Sequence, residues 1–257
     1  MTQSSISSSP VRAIVTGHSR GLGAALAELL LERQIDVLGV GRSAHPTLAQ
    51  TERPASAPQF VEASLDLADP DAVENWLASG ALQRFAQGAQ CVLLFNNAGM
   101  VDPIAPLGAQ GAIAIARAVT LNVAAPLMLA NALAATQAHE RRIVHISSGA
   151  ARNAYAGWSV YCATKAALDH HARAVALDAP QGVRISSVAP GVVDTGMQAT
   201  IRATSVEHFP LRGRFEELKQ TGKLATPEDS ARQLVAYALS DDFGASPVTD
   251  VRELAQS

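Results

Sequence analysis

The segment that most constrains the fold of this chain is a glycine-rich turn near the N-terminus. A β-branched run at 11–16 leads into T-G-H-S-R-G-L-G, and A-A-L-A-E-L-L-L-E-R follows with helical periodicity. Gly17 would allow the tight turn, Gly21 would let the backbone approach a pyrophosphate, and Gly23 would let the helix pack closely on the strand. Because the N-terminus of that helix faces the turn, its free N–H groups favour an anion there. The segment therefore predicts a strand, a loop and a helix that together bind a phosphate group.

Strand-like and helical stretches alternate along the rest of the chain. Apolar runs such as D-V-L-G-V-G, C-V-L-L-F, R-I-V-H-I and V-R-I-S-S-V are typical of buried strands, and helical patterns separate them. This alternation predicts an α/β fold, a Rossmann fold in which a doubly wound parallel sheet is flanked by helices on both faces. With 257 residues, 48% of them hydrophobic, the chain can fill one such domain. We expect a disordered tail at 1–10 and a single domain at 11–257.

Composition argues against several kinds of partner. The net charge is −3 and no long basic run occurs, so the chain has no electrostatic footprint for nucleic acid or an anionic membrane. No uninterrupted apolar run approaches about 18 residues, and the N-terminus lacks the pattern of a signal peptide. The two cysteines, Cys91 and Cys162, suggest neither a disulfide framework nor a metal site, and no metal is expected. These features suit the reducing cytoplasm.

A second segment, S-S-G-A-A-R-N-A-Y-A-G-W-S-V-Y-C-A-T-K, carries the candidate chemistry. Tyr161 and Lys165 are four residues apart, which places them on one face of a helix. A cation about 4 Å from a phenol, at an effective dielectric near 20, favours the phenolate by roughly 4 kcal/mol, or about 3 pKa units before desolvation opposes it. The spacing therefore predicts a lowered pKa for Tyr161 and proton exchange with a substrate oxygen. Ser148, at the end of an apolar strand, offers a hydroxyl to the same oxygen.

A tyrosine and a lysine four residues apart are also typical of an exposed pair on a helix. Together with Ser148 and the glycine-rich turn, however, the chain resembles the short-chain dehydrogenase/reductase family, whose catalytic Ser, Tyr and Lys match Ser148, Tyr161 and Lys165. The turn has the spacing G-x-x-x-G-x-G of that family rather than the more general G-x-G-x-x-G. The resemblance also implies a catalytic role for Asn122, which in the family bends its helix and holds a water that links the lysine to solvent.

The residues after the second strand indicate the cofactor. Arg42 and Ser43 stand about 20 residues beyond the turn, where an acidic residue would bind a ribose 2′-hydroxyl. A cation and a hydroxyl there suit a 2′-phosphate, and Arg20 is a second cation within reach, so NADP(H) is the expected cofactor. Arg42 can alternatively be an exposed loop charge.

The resemblance implies further contacts with the cofactor. Asp66 matches the position that meets the adenine amino group, although it can equally cap the helix near D-P-D-A-V-E-N-W-L. The implied cofactor set is completed by Gly17, Ser19, Arg20, Gly21, Leu22, Gly23, Leu67, Asn97, Ala98, Gly99, Tyr161, Lys165, Pro190, Gly191, Val193 and Thr195.

Carbonyl reduction is the chemistry that the resemblance implies, with hydride passing to a carbonyl carbon while Tyr161 protonates the oxygen. Nearly the whole chain is similar to the benzil reductase and sepiapterin reductase branch, whose enzymes reduce a carbonyl next to another carbonyl. The expected substrate residues are Ser148, Tyr155, Trp158, Met197 and Asp250. The aromatic ones predict a pocket for a flat or aryl substrate, although Trp158 can instead cap the catalytic helix or pack in a subunit interface.

The role of Asp250 has two interpretations. Sepiapterin reductases use an acidic residue of their C-terminal segment to hold the amino-pyrimidine edge of the pterin, and Asp250 matches that residue. Alternatively, Asp250 only pairs with nearby Arg252 at the surface, where the pair contributes little.

Two other functions fit parts of the same pattern. A 3-oxoacyl-carrier-protein reductase usually has a glycine-rich C-terminal tail, whereas this chain ends in V-T-D-V-R-E-L-A-Q-S. A non-catalytic NADP-binding redox sensor typically lacks the tyrosine and the lysine, and both are present here. For assembly, the Ala-rich helical patterns at 109–137 and 158–179 predict a homodimer or homotetramer.

Overall fold

A computed structural model describes residues 11–54 and 56–254 of the chain, so the tail predicted at 1–10 lies outside the described residues. The strands within the described part are β1 Val11–Thr16, β2 Asp36–Gly41, β3 Phe60–Ser64, β4 Cys91–Asn96, β5 Glu140–Ile146, β6 Val183–Ala189 and β7 Val248–Asp250. The α-helices there are α1 Gly21–Glu32, α2 Pro70–Ala78, α3 Ala81–Ala86, α4 Ala112–Val119, α5 Ala125–Ala134, α6 Ser159–Asp178, α7 Gly196–Ala203, α8 Arg212–Gln220, α9 Pro227–Leu239 and α10 Val251–Leu254.

The strands form one parallel sheet with the order β3-β2-β1-β4-β5-β6-β7. In its centre, Val15 of β1 lies opposite Gly39 of β2 on one side and Phe95 of β4 on the other. The direction of strand succession reverses between β1 and β4, so the loops after these two strands diverge and open a crevice at the carboxyl end of the sheet. The predicted doubly wound fold is confirmed.

Both faces of the sheet are covered by helices. Ala13 and Val15 of β1 pack with α1 and α9 in one buried cluster, whereas Ile14 packs with α2, α3 and α5 in another. Successive side chains of a strand point to opposite faces, so a strand buried on both sides is largely apolar. This explains the continuous apolar run at 92–95 in β4, each residue of which is fully buried.

The helical stretch Ala112–Ala134 is interrupted around Asn122, the residue for which the resemblance implies a bent helix. Thr120–Ala124 form a π-helical turn between α4 and α5, and Pro126, which lacks a backbone N–H, follows it. By length and composition alone this stretch could cross a membrane, although polar residues interrupt its apolar run. Core helices of other proteins meet the same criterion. Only 28% of its most apolar window is buried within the chain, so much apolar surface is left uncovered.

The polar segment after β6 folds into α7 and α8. Ile201 of α7, Phe215 of α8 and Phe209 between them pack against Trp158 and Tyr161 in a third buried cluster. These two helices therefore stand over the segment predicted to be catalytic.

Candidate active site

A cleft of about 1040 Å³ opens at the carboxyl end of the sheet. Its described lining contains every site residue predicted from the sequence except Asn122. These are Gly17, Ser19, Arg20, Gly21, Leu22, Gly23, Arg42, Ser43, Asp66, Leu67, Asn97, Ala98, Gly99, Ser148, Tyr155, Trp158, Tyr161, Lys165, Pro190, Gly191, Val193, Thr195, Met197 and Asp250. Segments distant in sequence thus meet at the crevice where such sheets bind ligands.

The glycine-rich turn forms one wall of the cleft and has no room for side chains. A Cβ at Gly23 would lie 2.2 Å from the carbonyl oxygen of Gly17, and one at Gly17 would lie 3.0 Å from Cα of Ala98. Gly17 and Gly21 also have φ values of +67° and +54°, a conformation that favours glycine. Such a turn leaves backbone exposed before α1, and it fits the pyrophosphate of a dinucleotide.

Basic and acidic side chains line the neighbouring part of the cleft. Nη2 of Arg117 lies 3.3 Å from Oδ2 of Asp66, and the N–H of Ala68 donates to Oδ1 of Asp66 at 3.0 Å. Burial acts to raise the pKa of Asp66, but the N–H of Ala68 and the guanidinium groups of Arg117 and Arg42 bring it below its ordinary value. Asp66 is therefore ionised among cations at neutral pH.

The alternative role of Asp66 as a helix cap is wrong. Asp69 caps α2, because its carboxylate accepts the N–H groups of Asp71 at 3.1 Å and Ala72 at 3.2 Å. Only a residue directly before the first turn can reach those N–H groups, and Asp66 lies too far upstream.

The segment N-N-A-G, residues 96–99 at the end of β4, is fastened to the end of β1. The N–H groups of Asn97 and Ala98 both donate to Oγ1 of Thr16 at 2.9 Å, and Nδ2 of Asn97 donates to the carbonyl of Thr16 at 2.8 Å. The turn therefore holds the β4 side of the crevice against the glycine-rich turn.

Asn122 is buried behind the cleft. Its side chain accepts the N–H of Met100 at 2.9 Å and donates to the carbonyl of Met100 at 2.8 Å and to Oγ1 of Thr164 at 3.2 Å. The Asn122 side chain thus joins the π-helical turn to the N-N-A-G segment and to α6. Asn122 lies outside the described lining of the cleft.

Ser148, Tyr161 and Lys165 converge where β5 meets α6. Ser148 follows the end of β5, and Tyr161 and Lys165 lie one turn apart on α6. Nζ of Lys165 donates to the carbonyl of Ile146 at 2.7 Å and lies 5.8 Å from the ring centre of Tyr161. The lysine is thus anchored to the strand from which Ser148 projects.

The predicted lowering of the Tyr161 pKa is wrong. Burial raises the pKa of Tyr161 to about 12, although a hydrogen bond with Ser148 opposes this. Lys165 donates to the backbone of Ile146 instead of to the phenol, and burial lowers its own pKa to about 8 against the opposing charge of Asp169. At neutral pH Tyr161 is therefore protonated, and it can donate a proton rather than accept one.

Aromatic side chains form the floor of the cleft beside Tyr161. Trp158 is 4% exposed, stacks on Phe209 with ring centres 4.6 Å apart, and meets Tyr161 edge-on at 5.3 Å and Tyr155 at 5.4 Å. Because its own chain buries it, Trp158 does not pack in a subunit interface. It stands directly before α6 but makes no side-chain cap there.

Asp250 lies at the cleft but is already paired. Nε and Nη2 of Arg252 donate to its two carboxylate oxygens at 2.8 and 2.6 Å, and Nη2 of Arg152 lies 3.7 Å away. Burial acts to raise the pKa of Asp250, but these arginines keep it below its ordinary value. Both predicted features are therefore present: the residue lines the cleft, and it pairs with Arg252.

Sequence reasoning missed part of the lining. Phe215 and Leu218 of α8 and Arg252 of α10 also face the cleft. The helical spacing of apolar residues in a polar segment was the available signal for α8, but it did not show which surface the helix would cover.

The parallel sheet, the glycine cradle and the Ser–Tyr–Lys group, in which Tyr161 and Lys165 are buried, define a nicotinamide-dinucleotide-dependent oxidoreductase. The family model described as short chain dehydrogenase matches residues 12–206, and the chain belongs to this family. Membership of a family of enzymes, together with the complete Ser–Tyr–Lys group, argues against a non-catalytic redox sensor.

Two relatives and one solved structure show which proteins of this family the chain is similar to. The chain is 33% identical to a benzil reductase ((S)-benzoin forming) of Bacillus cereus, over 93% of this chain and 98% of the relative. It is 31% identical to a sepiapterin reductase of Bos taurus, over 90% of each chain. A crystal structure of a short-chain dehydrogenase/reductase from Burkholderia vietnamiensis shares 56% identity with a TM-score of 0.67, over 96% of this chain and 100% of that one. The similarity to benzil and sepiapterin reductases thus covers at least 90% of this chain.

Proposed function

We propose that this protein is an NADPH-dependent carbonyl reductase that reduces one carbonyl of a 1,2-dicarbonyl compound, an aryl diketone of the benzil type rather than a sepiapterin-like pterin. The observation that carries the proposal is one continuous cleft in which the Ser–Tyr–Lys group borders an aromatic floor. The names of the relatives at about one-third identity support the same reaction class.

The residues of this chain have separate tasks in the reaction. When bound, the nicotinamide cofactor supplies the hydride. The raised pKa of Tyr161 keeps its phenol protonated until the substrate oxygen gains negative charge, and Tyr161 then donates its proton to that oxygen. The Ser148 hydroxyl donates a hydrogen bond to the same oxygen. Lys165 holds the cofactor ribose and stabilises the tyrosinate left behind, and Asn122 supports the resupply of the proton.

The preference for NADPH rests on the cations around the adenosine end. Arg20, Arg42 and Ser43 line the same cleft as the glycine-rich turn and Asp66. A 2′-phosphate there gains charge-assisted hydrogen bonds, each contributing roughly 1.5 to 3 kcal/mol. An unphosphorylated ribose gains none of them.

The state of Asp250 favours the diketone over the pterin. To hold an amino-pyrimidine edge, its carboxylate must accept two N–H groups, and these would compete with Arg252, which already donates to both oxygens. An aryl diketone needs no such acceptor and gains instead from the contact area of Trp158 and Tyr155.

Assembly and location complete the proposal. Exposed apolar side chains on α4 and α6, among them Ile113 at 80% and Leu177 at 87% exposure, support a homodimer or homotetramer. The free thiols of Cys91 and Cys162 are consistent with a cytoplasmic location.

The test follows NADPH absorbance with benzil, sepiapterin and an acetoacetyl thioester in parallel, and repeats the best substrate with NADH. Benzil should have the highest kcat/KM, and NADH should be at least about tenfold worse than NADPH, as the loss of one charge-assisted contact implies. Preferential turnover of the thioester would instead support a 3-oxoacyl-carrier-protein reductase. Equal Michaelis constants for the two cofactors would contradict the NADPH preference.

A further inference from the structure

Two buried histidines share one carboxylate oxygen behind the adenosine end of the cleft. Nε2 of His18 lies 2.6 Å from Oε1 of Glu62, and the backbone N–H of His45 donates to the same oxygen at 2.7 Å. Both histidine side chains are 1% exposed. We call His18, His45 and Glu62 the histidine clasp.

The hydrogen-bond partners assign the ring protons of the clasp. Nδ1 of His45 accepts the N–H groups of Thr47 at 3.3 Å and Leu48 at 3.1 Å, so it carries no proton. Burial lowers the pKa of His45, although the carboxylates of Glu28 and Glu62 oppose this. His18 donates from Nε2 to Glu62, as a neutral ring or a cation can. The clasp therefore has a defined donor and acceptor pattern.

The surrounding sequence makes room for this arrangement. A Cβ at Gly39 of β2 would lie 2.6 Å from the ring of His18, so only glycine leaves space for the imidazole. Phe60 of β3 meets both imidazoles edge-on, with ring centres 5.8 Å from His18 and 6.0 Å from His45. The clasp is thus packed on several sides.

The clasp joins two loops that line the cleft. His18 lies inside the glycine-rich turn, directly before Ser19 and Arg20, and His45 lies three residues after Arg42. Glu62 belongs to β3, the edge strand, which itself contributes nothing to the described lining. Its carboxylate fixes the spacing of two loops that carry the cations.

We propose that the histidine clasp positions Arg20, Arg42 and Ser43 for the 2′-phosphate of NADPH, so that Glu62, His18 and His45 are positioning residues for cofactor selection. This inference rests on the proposed NADPH preference. No clasp residue needs to touch the cofactor, because each acts by holding a loop.

The experiment compares Glu62→Ala, Glu62→Gln and the control Asp36→Ala with the wild type. Asp36 is a matched control: its carboxylate also ties β2 to the segment before β3, by accepting the N–H of Gln59 at 2.8 Å, but at the opposite end of the strands. Dissociation constants of NADPH and NADH are measured by fluorescence titration, and hydrogen exchange is followed at residues 43–48.

Glu62→Ala should weaken NADPH about tenfold or more and NADH less than about threefold, the effect expected when contacts to a charged group are lost. Exchange at residues 43–48 should accelerate, because the N–H of His45 loses its acceptor. The His45 ring, which accepts the N–H groups of Thr47 and Leu48, is then held less firmly. Glu62→Gln keeps an oxygen acceptor without the negative charge. It should therefore retain most of the NADPH affinity and most of the protection from exchange. Asp36→Ala should change neither the cofactor affinities nor the exchange at residues 43–48.

Unchanged exchange at 43–48 in Glu62→Ala would overturn the clasp, whatever the cofactor affinities are. Faster exchange with an unchanged ratio of NADPH to NADH affinity would overturn its role in selection. Equal affinities of the wild type for both cofactors would overturn the NADPH preference and with it the selective role, while exchange would still report whether the clasp holds the loop.

Discussion

Replacing Asp169 by asparagine should shift the alkaline limit of the reductase activity to lower pH. Asp169 is 2% exposed on α6, one turn beyond Lys165, and its Oδ1 accepts the hydroxyls of Ser147 at 2.5 Å and Ser187 at 2.7 Å. Burial lowers the pKa of Lys165 to about 8, and the carboxylate of Asp169 acts to raise it. The carboxylate is therefore the charge that helps to keep the buried lysine protonated at neutral pH.

The size of the shift can be estimated as the Coulomb interaction of two charges on side chains one helical turn apart. Residues one turn apart have Cβ atoms about 6 Å from each other. Two unit charges at that distance interact by about 2.8 kcal/mol at an effective dielectric of 20, equivalent to about 2 pKa units. Since two serine hydroxyls already neutralise part of the carboxylate charge, we expect a shift of at least about 1 unit.

The sign can be worked out from the two protonation states. The stabilising role of Lys165 requires its ammonium form, so the activity should fall as the pH rises through the pKa of Lys165. Removing a nearby anion disfavours the ammonium, so Asp169→Asn should lose activity at lower pH than the wild type. His145 of β5 also faces this region, but burial lowers its pKa to about 3, so it stays neutral throughout.

The assay is kcat/KM for benzil and NADPH as a function of pH. Ser187→Ala is the control, because it removes one hydrogen bond to Asp169 and leaves the charge in place. It should lower the free energy of unfolding and move the alkaline limit much less than Asp169→Asn does, because the carboxylate charge remains. An Asp169→Asn profile that superimposes on the wild-type profile would refute the argument that Asp169 sustains the charge of Lys165.

Three other outcomes are expected. Tyr161→Phe should abolish turnover and leave the dissociation constant of NADPH nearly unchanged, because it removes only the proton donor; substantial residual turnover would mean that another acid acts. Ile113→Glu, at a side chain 80% exposed on an apolar helix, should reduce the mass measured by light scattering to that of a smaller assembly or a monomer, and an unchanged mass would place the interface elsewhere. Asp250→Ala should change the Michaelis constant of benzil little. A large increase in the Michaelis constant of sepiapterin alone would instead support a pterin substrate.

The fold and the glycine-rich wall of the cleft could be predicted because both depend on residues close together in the sequence. Gly23 has no room for a Cβ because the carbonyl oxygen of Gly17 lies against it, only six residues away in the same turn. The strand, loop and helix around it are contiguous in the sequence. The apolar runs of β1 and β4 likewise reveal burial on both faces without any knowledge of their partners.

The aromatic floor and the Tyr161 pKa could not be predicted in the same way. Phe209 reaches Trp158 only because the segment after β6 folds back over α6, and nothing in a polar stretch specifies that path. For Tyr161, spacing on a helix gave the distance to Lys165 but not the direction of its Nζ, which the carbonyl of Ile146 determines. Burial therefore prevailed over the predicted Coulomb attraction.

Asp250 both pairs with a neighbouring arginine and lines the candidate site. The sequence offered surface pairing with Arg252 and a place in the pocket as alternatives, but the carboxylate is 4% exposed and lines the cleft while Arg252, 73% exposed, holds both of its oxygens. A buried carboxylate is costly unless it is paired, so Arg252 stabilises the very position that would otherwise accept a pterin. On the proposed function, a pterin would have to compete with this charge-assisted pair to bind there, whereas a diketone would leave the pair intact. We therefore expect discrimination between the two substrates to depend less on the presence of Asp250 than on the arginine beside it.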